Sequence, residues 1–462
     1  NMAHGEEFTD DDFYVWCSAV SDAIRANDPV HPVISGMDAS SISRQAANLE
    51  VIRDTCDIHT CHPYNIFSTA SDPLPSMKPV LDLAYRCRLD EDISGVPTFV
   101  QEFGAIGYLN CSLKTEADFY RACLYAALSH GCHGVMWWCA FDQGHLRFPP
   151  YEWNNIGSDY GFFDKNRAPK PIVAENRRFR ELLEKLPGAA LPPQRTDGVI
   201  LVPRDNGDAD ESILRAAFLL GKRANLDLRF SYALSPIPDA PLYILPSLHT
   251  NQSIPATRLD ELLEKVEQGA TLYLSLGNAL FRRIPEITGV QVGWRACVPT
   301  KETLDFAGEK LPLSGPVYYQ VESSQAEILA RTEAGAPRFF MRPYGKGRIF
   351  FLLLPLEQEL AARPGVFWAE DMPGYEAVYR ALGRAAGVQR RVETDCPFVH
   401  ATEHPIDEKS GYAVFINYSA QPRTVRVARH GVRLIPLHNA ELHGDALSLR
   451  ENDGAVFRWE KE

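Results

Sequence analysis

The stretch Thr98-Phe99-Val100-Gln101-Glu102-Phe103-Gly104 runs an apolar β-pattern into a carboxylate and then a glycine. A carboxylate at the carboxyl end of a parallel strand stands where barrel and open-sheet enzymes place their chemistry, as nucleophile or as acid/base. Glu102 is therefore the first catalytic candidate, with an acid that merely caps the following loop as the competing reading. Two other stretches end in a similar way. One delivers His59, Cys61, His62, Pro63 and Tyr64, the other Trp137, Trp138, Phe141 and Asp142. A carboxylate, an imidazole, a phenol and indoles on one rim suit a sugar ring, whose C–H faces stack on aromatics while its edges take hydrogen bonds. Alternation sends one of Trp137 and Trp138 toward a barrel centre and the other into the strand–helix layer, so one of the two is plain core. His59, Cys61 and His62 are metal-ligating types, but such close neighbours on a strand face opposite ways, and no metal site is expected.

These residues need a parallel sheet to bring them together. To about Leu186 the chain alternates strand and helix patterns. Strands are expected at Val33 to Ser35, Cys56 to Thr60, Thr98 to Gln101 and Gly134 to Trp138, each separated by enough residues for a helix. The helix Phe8 to Asn27 opens on Thr9 and Asp10 to Asp12 and carries Phe13, Trp16, Val20 and Ile24 at helical spacing; further helices are expected at Thr115 to His130 and Lys170 to Leu186. After a linker at Pro193 a second unit repeats the rhythm. It has strands at Gly198 to Pro203, Leu242 to Leu245 and Thr271 to Ser275, helices at Asp208 to Ala224 and Ala256 to Glu267, a hairpin at Gly345 to Gly347 leading into Ile349 to Leu354, and a helix at Tyr375 to Ala386. From about Val392 only short alternating strands remain: Tyr412 to Asn417, Thr424 to Val427, Val432 to Pro436, Ala446 to Leu449 and Ala455 to Trp459, the pattern of a small antiparallel β-sandwich.

Composition supports a folded chain of more than one domain. It has 462 residues, 45% hydrophobic and 23% charged, too many for a single core. The net charge of −13 and the lack of a basic stripe argue against a nucleic-acid partner. No apolar run approaches a membrane span. Ten cysteines without a CxxC pair read as buried free thiols of a reducing compartment, which favours a cytoplasmic location.

The succession Ser35-Gly36-Met37-Asp38, His62-Pro63-Tyr64, Gln101-Glu102-Phe103-Gly104, Gly134-Val135-Met136-Trp137-Trp138, Tyr160-Gly161 and Lys170-Pro171 resembles strands five to eight and the closing segment of a clan A glycoside hydrolase barrel. These are (β/α)8 TIM-barrel retaining enzymes of the cellulase, mannanase and β-galactosidase type. The resemblance covers residues 1–188. Residues 195–391 and 392–462 are similar, in order and pattern, to the doubly wound, flavodoxin-like or amidotransferase-like trimerisation domain and the small β domain of family 42 β-galactosidases. The expected fold class is thus α/β: the carboxyl-terminal half of a TIM barrel, a doubly wound α/β domain and a small antiparallel β-sandwich.

The resemblance implies Glu102 as the nucleophile of a β-glycosidase, attacking the anomeric carbon to give a covalent glycosyl-enzyme that water hydrolyses with retention. It also implies Tyr64 as the phenol that holds Glu102 ionised, with Asn1, His62, Trp137 and Trp138 around the donor sugar. A core tyrosine and an imidazole satisfied by a loop carbonyl are the alternatives for Tyr64 and His62. The implied partner is an oligosaccharide or glycoside, with no cofactor, nucleic acid or membrane, and with a homo-oligomeric contact through the α/β domain. The candidate amidotransferase elbow, Leu274-Ser275-Leu276-Gly277, has neither a Cys nor a nearby catalytic His and reads as non-catalytic.

The pattern departs from the family at its start. There the acid/base directly follows an Asn, yet Asn1 is followed by Met2, and Glu6 and Glu7 come too late and read as solvated loop acids. Four βα units also fall short of the roughly 250 residues of a full barrel. The expectation is a carboxyl-terminal part of a longer protein. A non-catalytic carbohydrate-binding or assembly protein with a degenerate barrel is the rival reading.

Overall fold

The structure, a computed structural model, describes residues 10–37, 42–64, 72–105, 111–149, 151–153, 158–204 and 210–462. Asn1, Met2, Glu6, Glu7 and Asp38 lie outside the described residues. The chain packs as two compact units, one of residues 196–389 with 41–46, the other of the remainder, in which the terminal β region joins the first βα region.

In the first unit the elements follow as α1 (Asp10–Asn27), α2 (Ile42–Thr55), β1 (His59–Cys61), α3 (Met77–Ser94), β2 (Thr98–Phe103), α4 (Leu113–Ser129), β3 (Val135–Trp137) and α5 (Ile172–Leu183). The strands β1, β2 and β3 are parallel neighbours in that order. The expected first strand shrinks to a single parallel bridge, Ile34 with Ile58. Parallel pairing requires crossover helices, and α3 and α4 supply them; both are almost wholly buried. The apolar stripe on α1 behaves otherwise than its spacing suggests: Trp16, Val20 and Ile24 are exposed while Cys17 and Ser21 are buried.

The terminal region is built of antiparallel strands, with more of them than its pattern shows. Two four-stranded sheets, one of residues 392–394, 423–429, 446–449 and 441–443, the other of 399–405, 410–417, 453–461 and 432–438, enclose one apolar core that includes Val399, Phe415, Val427, Leu447 and Phe457. Arg121 of α4 anchors it: Nε donates to Asn452 O at 2.9 Å and Nη2 to Glu451 O at 3.0 Å, both 331 and 330 residues distant in sequence.

The second unit opens with β4 (Gly198–Val202), α6 (Asp210–Arg223), β5 (Leu228–Tyr232), β6 (Leu242–Leu248), α7 (Ala256–Gln268) and β7 (Thr271–Leu276). The strands β5, β4, β6 and β7 are parallel, and the strand Gly347–Leu352 adds to β7 in the same sense. Between Val290 and Tyr344 six further strands intervene that the sequence reading omits. Four of them extend the sheet antiparallel to nine strands, and two form a separate ribbon. At the expected elbow, the Ser275 hydroxyl donates to Glu357 Oε2 at 2.6 Å, and the Ser247 hydroxyl donates to the same oxygen at 2.8 Å. The His249 ring lies so near Gly277 that a Cβ there would meet it.

All ten cysteines are free, and Cys17, Cys56, Cys61, Cys87 and Cys123 are buried. Among the described residues no helix is long and apolar enough to cross a membrane.

Candidate active site

The site is built at the carboxyl ends of β1, β2 and β3. The ladder between β2 and β3 slips between Val100 and Phe103. Such an irregularity re-aims side chains, and its effect is visible here: the adjacent residues Gln101 and Glu102 both face His62. His62 Nε2 lies 3.1 Å from Gln101 Oε1, and Nδ1 lies 3.8 Å from Glu102 Oε2. The His62 partner is therefore a side-chain amide rather than a loop carbonyl.

Beyond β1 the chain turns at Pro63, closed by Tyr64 N donating to His62 O at 3.0 Å. That turn swings the phenol back over β2, where Tyr64 Oη donates to Glu102 Oε2 at 3.0 Å. Burial pushes the Tyr64 phenol well above its ordinary pKa, and the Glu102 charge and this hydrogen bond push it further. A phenol so placed stays protonated and remains a donor to the carboxylate.

The strand β3 separates the two indoles. Trp137 is 7% exposed and packs edge-on to Phe103 and Tyr120, with ring centroids 5.1 and 5.3 Å away. Its Nε1 donates to Tyr160 O at 2.8 Å. Trp138, one residue beyond the strand, is 39% exposed. Trp137 is thus the core indole of the strand–helix layer, and Trp138 is the exposed one.

His59 and Cys61 turn away from the rim. His59 is buried, with Nε2 at 3.2 Å from Asp90 Oδ2 of α3 and Nδ1 at 3.2 Å from Ser35 Oγ. Among the described residues no group of His, Cys, Asp and Glu could hold a metal ion.

The sequence reading missed what fastens the rim. Asp142 Oδ1 accepts from Lys170 Nζ at 2.6 Å and from Gly161 N at 2.8 Å, and Lys170 Nζ also donates to Asp159 O at 2.6 Å. Both Asp142 and Lys170 are buried. Gly161 has no room for a side chain, since a Cβ would come within 2.3 Å of Asp142 N. The Tyr160-Gly161 and Lys170-Pro171 pairs thus stitch residues 159–170 onto the end of β3. Glu116, in the first turn of α4, is 3% exposed, and among the described residues its Oε2 has no hydrogen-bond partner. Burial lifts its pKa to about 7; Lys170 opposes the rise, and Asp159 and Asp142 add to it.

No protein-family model and no curated protein matches this sequence. Solved structures do. A β-galactosidase from Bacillus circulans sp. alkalophilus superposes with a TM-score of 0.72 at 13% identity, over 98% of this chain and 67% of its own. The chain has the fold of these glycoside hydrolases. A catalytic mutant of a GH42 β-galactosidase from G. stearothermophilus gives 0.69 at 12% identity, over 99% of this chain and 69% of its own. An exo-β-1,4-mannosidase from Opitutaceae bacterium strain TAV5 gives 0.63 at 19% identity, over 82% and 70%.

Proposed function

We propose that the protein is a retaining β-glycosidase acting on an oligosaccharide or glycoside, with Glu102 as nucleophile. The observation that carries this reading is the Tyr64 hydroxyl on Glu102 Oε2 at 3.0 Å, at a parallel-strand end beside the exposed Trp138. A carboxylate kept hydrogen-bonded through one oxygen retains the lone pairs of the other for attack on an anomeric carbon. The bond to the aglycone breaks as the Glu102–glycosyl ester forms, and water then cleaves the ester. Trp138 offers an indole face for the donor sugar, and His62 a polar edge. The reaction also needs a proton donor about 5 to 5.5 Å from the nucleophile. The resemblance puts that acid next to Asn1, outside the described residues.

In this reading residues 1–188 are the carboxyl-terminal half of a (β/α)8 barrel, residues 195–391 an amidotransferase-like domain that makes a homo-oligomeric contact, and residues 392–462 a small β domain. Support comes from the fold likeness to β-galactosidases and to an exo-β-1,4-mannosidase. The test is Glu102→Gln assayed on aryl β-galactosides, β-mannosides and β-glucosides. Turnover is expected to fall by at least roughly a thousandfold with sugar affinity retained. Unchanged turnover would remove Glu102 from the role, and saturable sugar binding without turnover in the unaltered chain would favour a carbohydrate-binding protein.

A further inference from the structure

Gly104 stands two residues after Glu102, just past the end of β2, and is buried. A Cβ at this position would lie 3.2 Å from Trp138 O, 3.7 Å from Tyr64 Cε1 and 3.9 Å from Trp137 Cε2. The phenol ring that reaches Glu102 and the backbone of the exposed indole therefore close over one bare Cα. Gly104 does not have a positive φ, so what the position requires is space. For a methyl group the Tyr64 and Trp137 distances are ordinary van der Waals contacts. The Trp138 carbonyl is too close by a few tenths of an ångström, and one side has to give.

The surroundings resist that shift on both sides of Trp138. On its amino side Trp138 N donates to Phe103 O, the carbonyl that joins Phe103 to Gly104, at 3.0 Å. On its carboxyl side Cys139 N donates to Tyr160 O at 3.2 Å, and Cys139 O accepts from Phe162 N at 3.0 Å. Residues 160–162 belong to the segment that Asp142 and Lys170 fasten with buried bonds. A group pushed in at residue 104 thus works against a clamp, and the bond beside it, Trp138 N to Phe103 O, is the one it would lengthen.

We propose that Gly104 is a positioning residue whose missing side chain sets the spacing between Trp138 and the Glu102–Tyr64 pair. Its consequence for a bound sugar rests on the glycosidase reading; the spacing itself does not. A pyranoside held between an indole and a carboxylate needs both at a fixed separation, and displacements well under 1 Å are enough to weaken binding or turnover.

The test uses Gly104→Ala and Gly104→Val in the full chain. Amide hydrogen exchange, followed residue by residue by NMR, reads the spacing without any ligand. Gly104→Ala should speed exchange at the Trp138 N–H by roughly tenfold. The Val100 N–H, bonded to Gly134 O at 2.9 Å in the same pair of strands, should exchange as before. Unchanged exchange at Trp138 would overturn the proposal, as would equal acceleration at both amides, which marks general loosening.

On an aryl β-glycoside, Gly104→Ala should raise KM by roughly three- to tenfold with kcat nearly kept, and should have no further effect on KM once Trp138 is alanine. Gly104→Val, whose branches reach the Tyr64 ring, should lower kcat as well, and this added loss should be absent in Tyr64→Phe. An effect of Gly104→Ala on KM that persists without the indole would overturn the role. The single methyl of Gly104→Ala decides even if Gly104→Val folds poorly. If no glycoside is hydrolysed while exchange still rises at Trp138 alone, the glycosidase reading fails and the spacing role stands.

Discussion

Tyr64 Oη stands 3.0 Å from Glu102 Oε2, three residues beyond a strand that neighbours the one carrying the carboxylate. A single Pro63 turn sets this relationship, and it joins the strongest motif of the sequence to the strongest geometric feature of the site. Hydrogen bonds to a charged group contribute roughly 1.5–3 kcal/mol. Tyr64→Phe is therefore expected to lower kcat/KM on an aryl β-glycoside by roughly ten- to a hundredfold. In a Glu102→Gln background the same change should have a much smaller effect, because its partner has lost its charge. Full activity of Tyr64→Phe would remove the phenol from the mechanism.

The two indoles should separate by experiment. Trp137 fills the layer between Phe103, Tyr120 and Phe162, so Trp137→Ala should lower stability by about 3–5 kcal/mol in urea unfolding. Trp138→Ala should leave the unfolding midpoint nearly unchanged and weaken sugar binding. The opposite pattern would reverse their assignment to core and pocket.

Lys170 and Asp142 form a buried pair at 2.6 Å. Removing one partner strands the other charge, which is unfavourable by about 3–5 kcal/mol. Lys170→Met should therefore lower the unfolding free energy by about that amount, and Lys170→Met with Asp142→Leu should recover part of it. If the single change proves neutral, the pair does not fasten the rim.

Glu116 gives the fold a pH dependence of defined sign. Its pKa is about 7 in the fold against an ordinary 4.5, chiefly through burial. The folded state thus holds this proton more tightly, and the contribution is fully present below about pH 4.5 and lost as pH rises through 7. Glu116→Gln should be more stable than the unaltered protein at pH 8, by on the order of 2–3 kcal/mol, and the difference should vanish toward pH 4.5. Urea unfolding of both proteins across that range checks this; a constant difference would contradict it.

What the residues disclosed of this architecture follows from how local each signal is. The βα rhythm around Glu102 was legible because apolar strand, glycine and helix follow one another within thirty residues, and that placed His62, Tyr64 and Glu102 on one rim. Period-two alternation told that Trp137 and Trp138 face opposite ways but not which faces inward, since that depends on Phe103, Tyr120 and Phe162 arriving from elsewhere. The strands between Val290 and Tyr344 went unread because one exposed face and prolines such as Pro312 and Pro337 break the alternation. Asp142 and Lys170 are 28 residues apart, and Glu116 looks like any acid in a first helical turn until the fold buries it.

The central claim is the covalent role of Glu102, and the most direct measurement is to trap it. The full chain is incubated with activated 2-deoxy-2-fluoro β-glycosides of galactose, mannose and glucose, digested, and the peptides mapped by mass spectrometry. The account predicts one fluorosugar added, carried by Glu102 and lost in Glu102→Gln. A label on another carboxylate, or hydrolysis of the parent glycoside with inversion at the anomeric carbon, would contradict it.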